Sequence, residues 1–270
     1  MRFCHVRVLI LTILLVFIAS VCFATQFPYR KNYPSVPTIS TQELKKDFDQ
    51  DNVVIVDVRS EIEYNVIHPK NAVHIPLSNK DFVSRIKKLV KENPEKKIVC
   101  YCNGVTCLKS YEAVRRAQDA GLSNLYAFDA GVFDWAKKYP EQTLLLGDEI
   151  TNPRRQLIPR EIFQKQCVDY ATFKKKARES DHVVIDARSD IQRTKELPGL
   201  EDVQVLTMPP DKLINDVIKK RRMKDKVLLI FDQVGKQIRW IMYYLAEERY
   251  TDYYFLRGGA NAVLEKQKYR

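Results

Sequence analysis

The residues best suited to chemistry are the cysteines of the stretch Cys100-Tyr101-Cys102-Asn103-Gly104-Val105-Thr106-Cys107-Leu108-Lys109. The apolar run before it, 97–101, reads as a strand, and a helical stretch over 111–120, stopped by Gly121, follows. Cys102 is therefore expected at a strand end, in a tight loop that runs straight into a helix. Backbone N–H groups of such a loop can converge on the sulfur, and the positive end of the helix dipole faces the same point. Both favour a thiolate and any anion attached to it. Gly104 allows the sharp turn, and Thr106 and Ser110 are expected to offer hydroxyl donors at the rim. The chemistry that suits this cradle is attack by Cys102 on a sulfur or other anionic centre.

The elements that must position the loop read as a parallel α/β sheet. Ser40 and Glu43 form a capping box at the head of a helix in which Leu44 and Phe48 lie four apart. The β-branched run 53–56 suits a strand covered on both faces and ends in Asp57-Val58-Arg59-Ser60. A short strand over 72–77, a helix over 82–90, a strand over 125–128 and a helix over 132–139 complete the unit. Strands alternating with helices imply a mainly parallel sheet with helices on both faces, its working loops beyond the carboxyl ends of the strands.

The second half repeats the order. Asp169 stands 129 residues after Ser40, Asp186 stands 129 after Asp57, and Gly259 stands 128 after Gly131. Such agreement across separate landmarks predicts a duplication. Position 232 then answers position 102, and it is aspartate, which cannot carry sulfur and is expected to repel anions. The predicted organisation is a signal peptide over 1–24, an extended lead-in over 25–37, a first domain over 38–148, a linker over 149–165 and a degenerate copy over 166–270. The linker shows no clear period and holds Pro153 and Pro159.

Taken in order, Asp57-Val58-Arg59-Ser60, Glu63-Tyr64, His68, Ala72-Val73-His74-Ile75-Pro76, Tyr101-Cys102 with its glycine-containing loop, and Phe128-Asp129-Ala130-Gly131 before Trp135 resemble a rhodanese domain over about 38–140. The second half resembles the same family through Asp186, Arg188 and Arg257-Gly258-Gly259, without a match for His68. The resemblance implies tandem rhodanese-like domains with an inactive second copy. It further implies sulfur transfer with no cofactor beyond a transient cysteine persulfide. Cys102 would be the nucleophile that takes sulfane sulfur from a small donor and passes it to a thiol or cyanide-like acceptor. Asn103, Gly104, Val105, Thr106, Cys107, Leu108 and Lys109 would form the substrate-binding loop, with Asp57 and Arg59 behind it. Two departures bear on the donor and the outcome. The first basic residue after Cys102 is Lys109, where family loops often carry one nearer to hold an anionic donor. Cys107 inside the loop could displace sulfide from a Cys102 persulfide and leave a disulfide, which would make the loop a redox site with a redox partner protein.

Arg2, His5 and Arg7 ahead of the apolar run 8–23, with small residues at Cys22 and Ala24, form a secretory pattern. The run is short for a membrane span, so no stable anchor is expected after cleavage, and a periplasmic or secreted location follows. Removing 1–24 takes away Arg2 and Arg7 and no acid, which lowers the net charge from +11 to +9. The basic residues are scattered over helices and lack the aromatic platform of a single-strand binder, so nucleic acid is not expected as a partner. No metal is expected: Cys100, Cys102 and Cys107 lack zinc spacing and a fourth ligand. A phosphatase of similar cradle would need an arginine at the loop end, where Leu108 and Lys109 stand. Cys100 and Cys167 read as packing residues, and His68 as a structural hydrogen-bonding group. The rival function is a non-catalytic periplasmic binding or thiol-redox protein on the same scaffold.

Overall fold

The computed structural model describes residues 27–267, so the expected leader lies outside the described residues. Two compact units make up the described chain: 27–59 with Pro69–Tyr139, and Ser60–His68 with 140–267.

In the first unit Ser40 caps α1 (Thr41–Asp49) through the reciprocal Ser40–Glu43 box. The β-branched run forms β1 (Val53–Asp57). Next in the chain come α2 (Glu61–Val66) and β2 (Ile67–Pro69), which begin with the segment assigned to the second unit. The first unit resumes with β3 (Val73–His74), α3 (Phe82–Glu92), β4 (Lys97–Tyr101), α4 (Lys109–Asp119), β5 (Leu125–Phe128) and α5 (Gly131–Lys138). Its sheet has the order β3-β1-β4-β5, and every pair is parallel. Val56, Ile98, Cys100, Val114 and Ala127 lie in its buried core.

The second unit builds β6 (Thr143–Leu145), β7 (Asp148–Glu149), α6 (Pro153–Gln156), α7 (Arg160–Gln166), β8 (Cys167–Val168) and α8 (Tyr170–Lys176). Then follow β9 (His182–Asp186), β10 (Val205–Thr207) and a helical turn, Pro210–Lys212, that runs into a π-helix over Leu213–Ile218. It closes with β11 (Val227–Phe231), α9 (Ile238–Glu247), β12 (Tyr253–Leu256) and α10 (Asn261–Gln267). Its main sheet, β10-β9-β11-β12-β8, is again all parallel. The first four strands repeat the order of the first sheet. Where β8 adds an edge strand beside β12, the first unit has a single parallel bridge between Thr38 and Ala127.

Ser60–His68, inside the expected first domain 38–148, packs with the chain after Pro140: Ile62 lies on the core of the second unit, and the Leu146 N–H donates to the Val66 carbonyl at 2.8 Å. The expected linker 149–165 contains short helices, and Asn152 caps α6 by accepting from the Arg155 N–H, with Pro153 in the first turn. The lead-in is not simply extended. It holds a 3-10 turn at Arg30–Asn32, and Tyr33 stacks on Tyr111 at 5.1 Å between ring centroids. The strand over 72–77 shrinks to Val73–His74 at the edge of the sheet, although the Ile75 and Leu77 N–H groups still reach the Asp57 and Val58 carbonyls. Among the described residues no helix is long and apolar enough to cross a membrane.

Candidate functional site

Cys102 follows β4 directly and is 2% exposed. Its carbonyl accepts from the Val132 N–H at 3.0 Å, which fixes the loop to the start of α5. That approach is possible because Gly131 has φ +72 and no side chain. A Cβ there would lie 2.3 Å from Gly104 N, 2.5 Å from Gly104 Cα and 2.6 Å from the Asn103 carbonyl carbon. Gly104 itself, at φ +150, faces the Ala130 carbonyl oxygen. The two glycines are thus the contact between the loop and the helix behind it.

From the other side the loop is held by a buried ion pair. Asp57 ends β1, and Arg59 grips its carboxylate with Nε at 2.9 Å and Nη2 at 2.6 Å, both side chains fully buried. The Arg59 backbone N–H also donates to Asp57, as does the Tyr101 hydroxyl. Burial, with the Asp57 charge next, pushes the Tyr101 hydroxyl well above its usual pKa, so it remains a donor. The other arm of Arg59, Nη1, donates to Asn103 Oδ1 at 2.9 Å. Asp57 and Arg59 therefore orient the residue next to Cys102.

The loop turns back at Gly104, whose carbonyl accepts from the Cys107 N–H at 2.8 Å. Cys102 and Cys107 are joined in a disulfide, their Cα atoms 6.2 Å apart. Leu108 precedes α4 without a side-chain cap and Lys109 is its first residue, so the helix starts two residues earlier than expected. Thr106 is exposed, but Ser110 is buried rather than at the rim, and its Oγ has no hydrogen-bond partner. The remaining cysteines among the described residues stand apart: burial pushes the Cys100 thiol up to about 12 and the Cys167 thiol up to about 11. Both are held as neutral packing groups.

The second unit repeats the scaffold around a different atom. Gly259 has φ +65, and a Cβ on it would lie 2.5 Å from the Asp232 carbonyl oxygen; the Ala260 N–H donates to that oxygen at 2.8 Å. Asp186 and Arg188 form the matching buried pair, but Arg188 Nη1 donates to the Lys195 carbonyl instead of to the loop. The Asp232 carboxylate accepts from the backbone N–H groups of Val234 at 3.1 Å, Gly235, Gln237 at 2.6 Å and Ile238 at 3.3 Å. Asp232 does more than repel an anion: its carboxylate is the anion that fills the cradle.

Residues 40–138 match the profile of the rhodanese-like domain family. This segment is a rhodanese-like domain. The tRNA uridine(34) hydroxylases of Photorhabdus laumondii and Erwinia tasmaniensis are 27% and 31% identical to the chain over 108 residues, 39% of this chain and 30% of each relative. The chain thus spans less than a third of the length of these curated relatives. A solved thiosulfate sulfurtransferase from Pseudomonas aeruginosa is 18% identical, with a TM-score of 0.36, over 84% of this chain and 44% of that one.

Of the residues singled out from the sequence, the rhodanese-like domain brings together Asp57, Arg59, Asn103, Gly104, Cys102 and Cys107. His68 is not among them; its Nδ1 is hydrogen-bonded to the Tyr64 carbonyl at 2.7 Å and its ring stacks on Tyr64. Sequence reasoning missed Arg30, which reaches from the lead-in to Asp129 with Nε at 2.7 Å. The Tyr111 hydroxyl donates to the same carboxylate at 2.5 Å, which anchors α4 just before α5 begins. An arginine outside every predicted element carries no periodic or motif signal. The one group of possible metal ligands among the described residues, Glu179, Asp181 and His182, lies at the opposite end of β9 from Asp186 and the second cradle.

Proposed function

We propose that the protein is an exported sulfurtransferase that carries sulfane sulfur as a persulfide on Cys102. The Cys102 thiolate attacks the sulfane sulfur of a small donor; the donor's remaining fragment leaves with the bonding electrons, and the sulfur stays on Cys102. A thiol or cyanide-like acceptor then removes it. The observation that carries this reading is the placement of Cys102 in a loop fixed from two sides, by Gly131 and by the Asp57–Arg59–Asn103 chain. A fixed nucleophile beside the N-terminus of α4 needs little reorganisation to hold the charge of a persulfide. The second unit, with Asp232 filling its cradle, has a structural or partner-binding role and turns over no sulfur. The hydroxylase activity named for the relatives is not carried over, because the match spans 30% of their length. The test is cyanide-trapped sulfur transfer from thiosulfate, 3-mercaptopyruvate or a persulfide donor. Transfer is expected from at least one donor and is lost in Cys102→Ala; turnover that survives this substitution overturns the proposal.

A further inference from the structure

The disulfide in the rhodanese-like domain joins two unequal cysteines. Cys102 is 2% exposed, whereas Cys107 is half-buried and lies between Val105 and Leu108, which are 38% and 40% exposed. Of the two sulfurs, Cys107 is the one a thiolate from solvent can reach. It is bonded to Cys102 in this loop, the Cα atoms 6.2 Å apart, within the span a disulfide bridges. Attack at Cys107 expels Cys102 as a thiolate, and the N-terminus of α4 favours that leaving group.

We propose that Cys107 is a resolving cysteine that turns sulfur transfer into dithiol-dependent release of sulfide, an inference that rests on Cys102 being the persulfide carrier. The Cys107 thiolate attacks Cys102 Sγ of the persulfide. The bond between Cys102 Sγ and the sulfane sulfur breaks, its electron pair leaves with the outer sulfur as hydrosulfide, and the Cys102–Cys107 bond forms. The sulfane sulfur is reduced to sulfide, and the two protein thiols are oxidised to the disulfide. A dithiol reductant then resets the loop. One of its thiolates attacks Cys107 Sγ and expels the Cys102 thiolate; its second thiol displaces Cys107, so the reductant leaves as a disulfide. Over the cycle, sulfane sulfur plus a dithiol gives sulfide plus a disulfide. The reaction that must follow in sequence is one that regenerates a protein dithiol.

The test is a single turnover of the full chain, reduced and freed of reductant without air, with one equivalent of glutathione persulfide. Wild type is expected to release one sulfide per chain and to yield a linked Cys102–Cys107 peptide. Cys107→Ser is expected to gain the mass of one sulfur atom on Cys102 and to release no sulfide. A wild-type protein that holds the extra sulfur as stably as Cys107→Ser overturns the resolving role. Sulfur retained by neither chain, with no sulfide from wild type, overturns the sulfurtransferase reading and this one with it. For the point of attack, the oxidised protein treated with glutathione is expected to carry the mixed disulfide on Cys107; an adduct on Cys102 overturns that assignment.

Discussion

Replacing Gly131 with alanine tests the link between the loop and the helix behind it. The new Cβ would start 2.3 Å from Gly104 N and 2.5 Å from Gly104 Cα, where ordinary contact begins at 3.4 Å, so the two backbones must part by roughly 1 Å. The obstruction is backbone, which cannot rotate aside. Holding alanine at φ +72 adds about 1 kcal/mol of strain. The separation acts directly on Asn103, Gly104 and the hydrogen bond from the Val132 N–H to the Cys102 carbonyl. A misplacement of about 1 Å at a reacting group costs on the order of 10²-fold in rate. Gly131→Ala is therefore expected to fold with a loss of about 2–4 kcal/mol and to lower persulfide formation about a hundredfold. Gly147→Ala is the control, since it has a positive φ and nothing within 4 Å of its would-be Cβ, and should show strain alone. Urea unfolding followed by a single-turnover sulfur-uptake assay separates the two effects. A folded Gly131→Ala protein that takes up sulfur at the wild-type rate would refute the account of the loop.

Arg59→Met leaves Asp57 buried without its cation and removes the bond to Asn103 Oδ1; a loss of about 3–5 kcal/mol in urea unfolding is expected, and Asp57→Asn should cost a similar amount. Asp232→Leu strips four backbone N–H groups in the second cradle of their acceptor, and unfolding of that unit should fall by about 2–4 kcal/mol, whereas a neutral result would show the cradle is not held by the carboxylate. The Cys100 thiol, raised from 9.0 to about 12, contributes stability that is fully present below pH 9 and lost as pH rises toward 12, because only the unfolded chain ionises there. Between pH 9 and pH 11 this amounts to about 2–3 kcal/mol, so Cys100→Ala should flatten the alkaline fall in stability measured by urea unfolding. In the native reduced protein at pH 8, alkylation should mark Cys107 first and spare Cys100 and Cys167.

Much of the scaffold around the site could be read from local patterns, since those patterns are set by near neighbours in the chain. The β-branched run before Asp57, the capping box at Ser40 and the apolar strand before Cys102 each specify one element through sterics or a hydrogen bond within a few residues. What those elements hold against one another could not be read in this way. That Arg59 ends on Asn103, or that Gly131 must lack a side chain because Gly104 lies against it, depends on atoms 44 and 27 positions apart in the chain that only folding brings within bonding distance.

The same division applies to the chemistry. The sequence by itself determined which residues could react: two cysteines in one glycine-containing loop, and an aspartate where the second half has its equivalent. Tertiary structure decided what each one does there. Burial separates Cys102 from Cys107 as an inner and an outer sulfur, and chain reversal at Gly104 brings them into a bond. Four converging backbone N–H groups make the Asp232 carboxylate the occupant of its cradle, because a buried donor is satisfied by whatever acceptor the folded chain places in reach. Residue type fixes what an atom can do; distance and access, set by the fold, fix whether it does so.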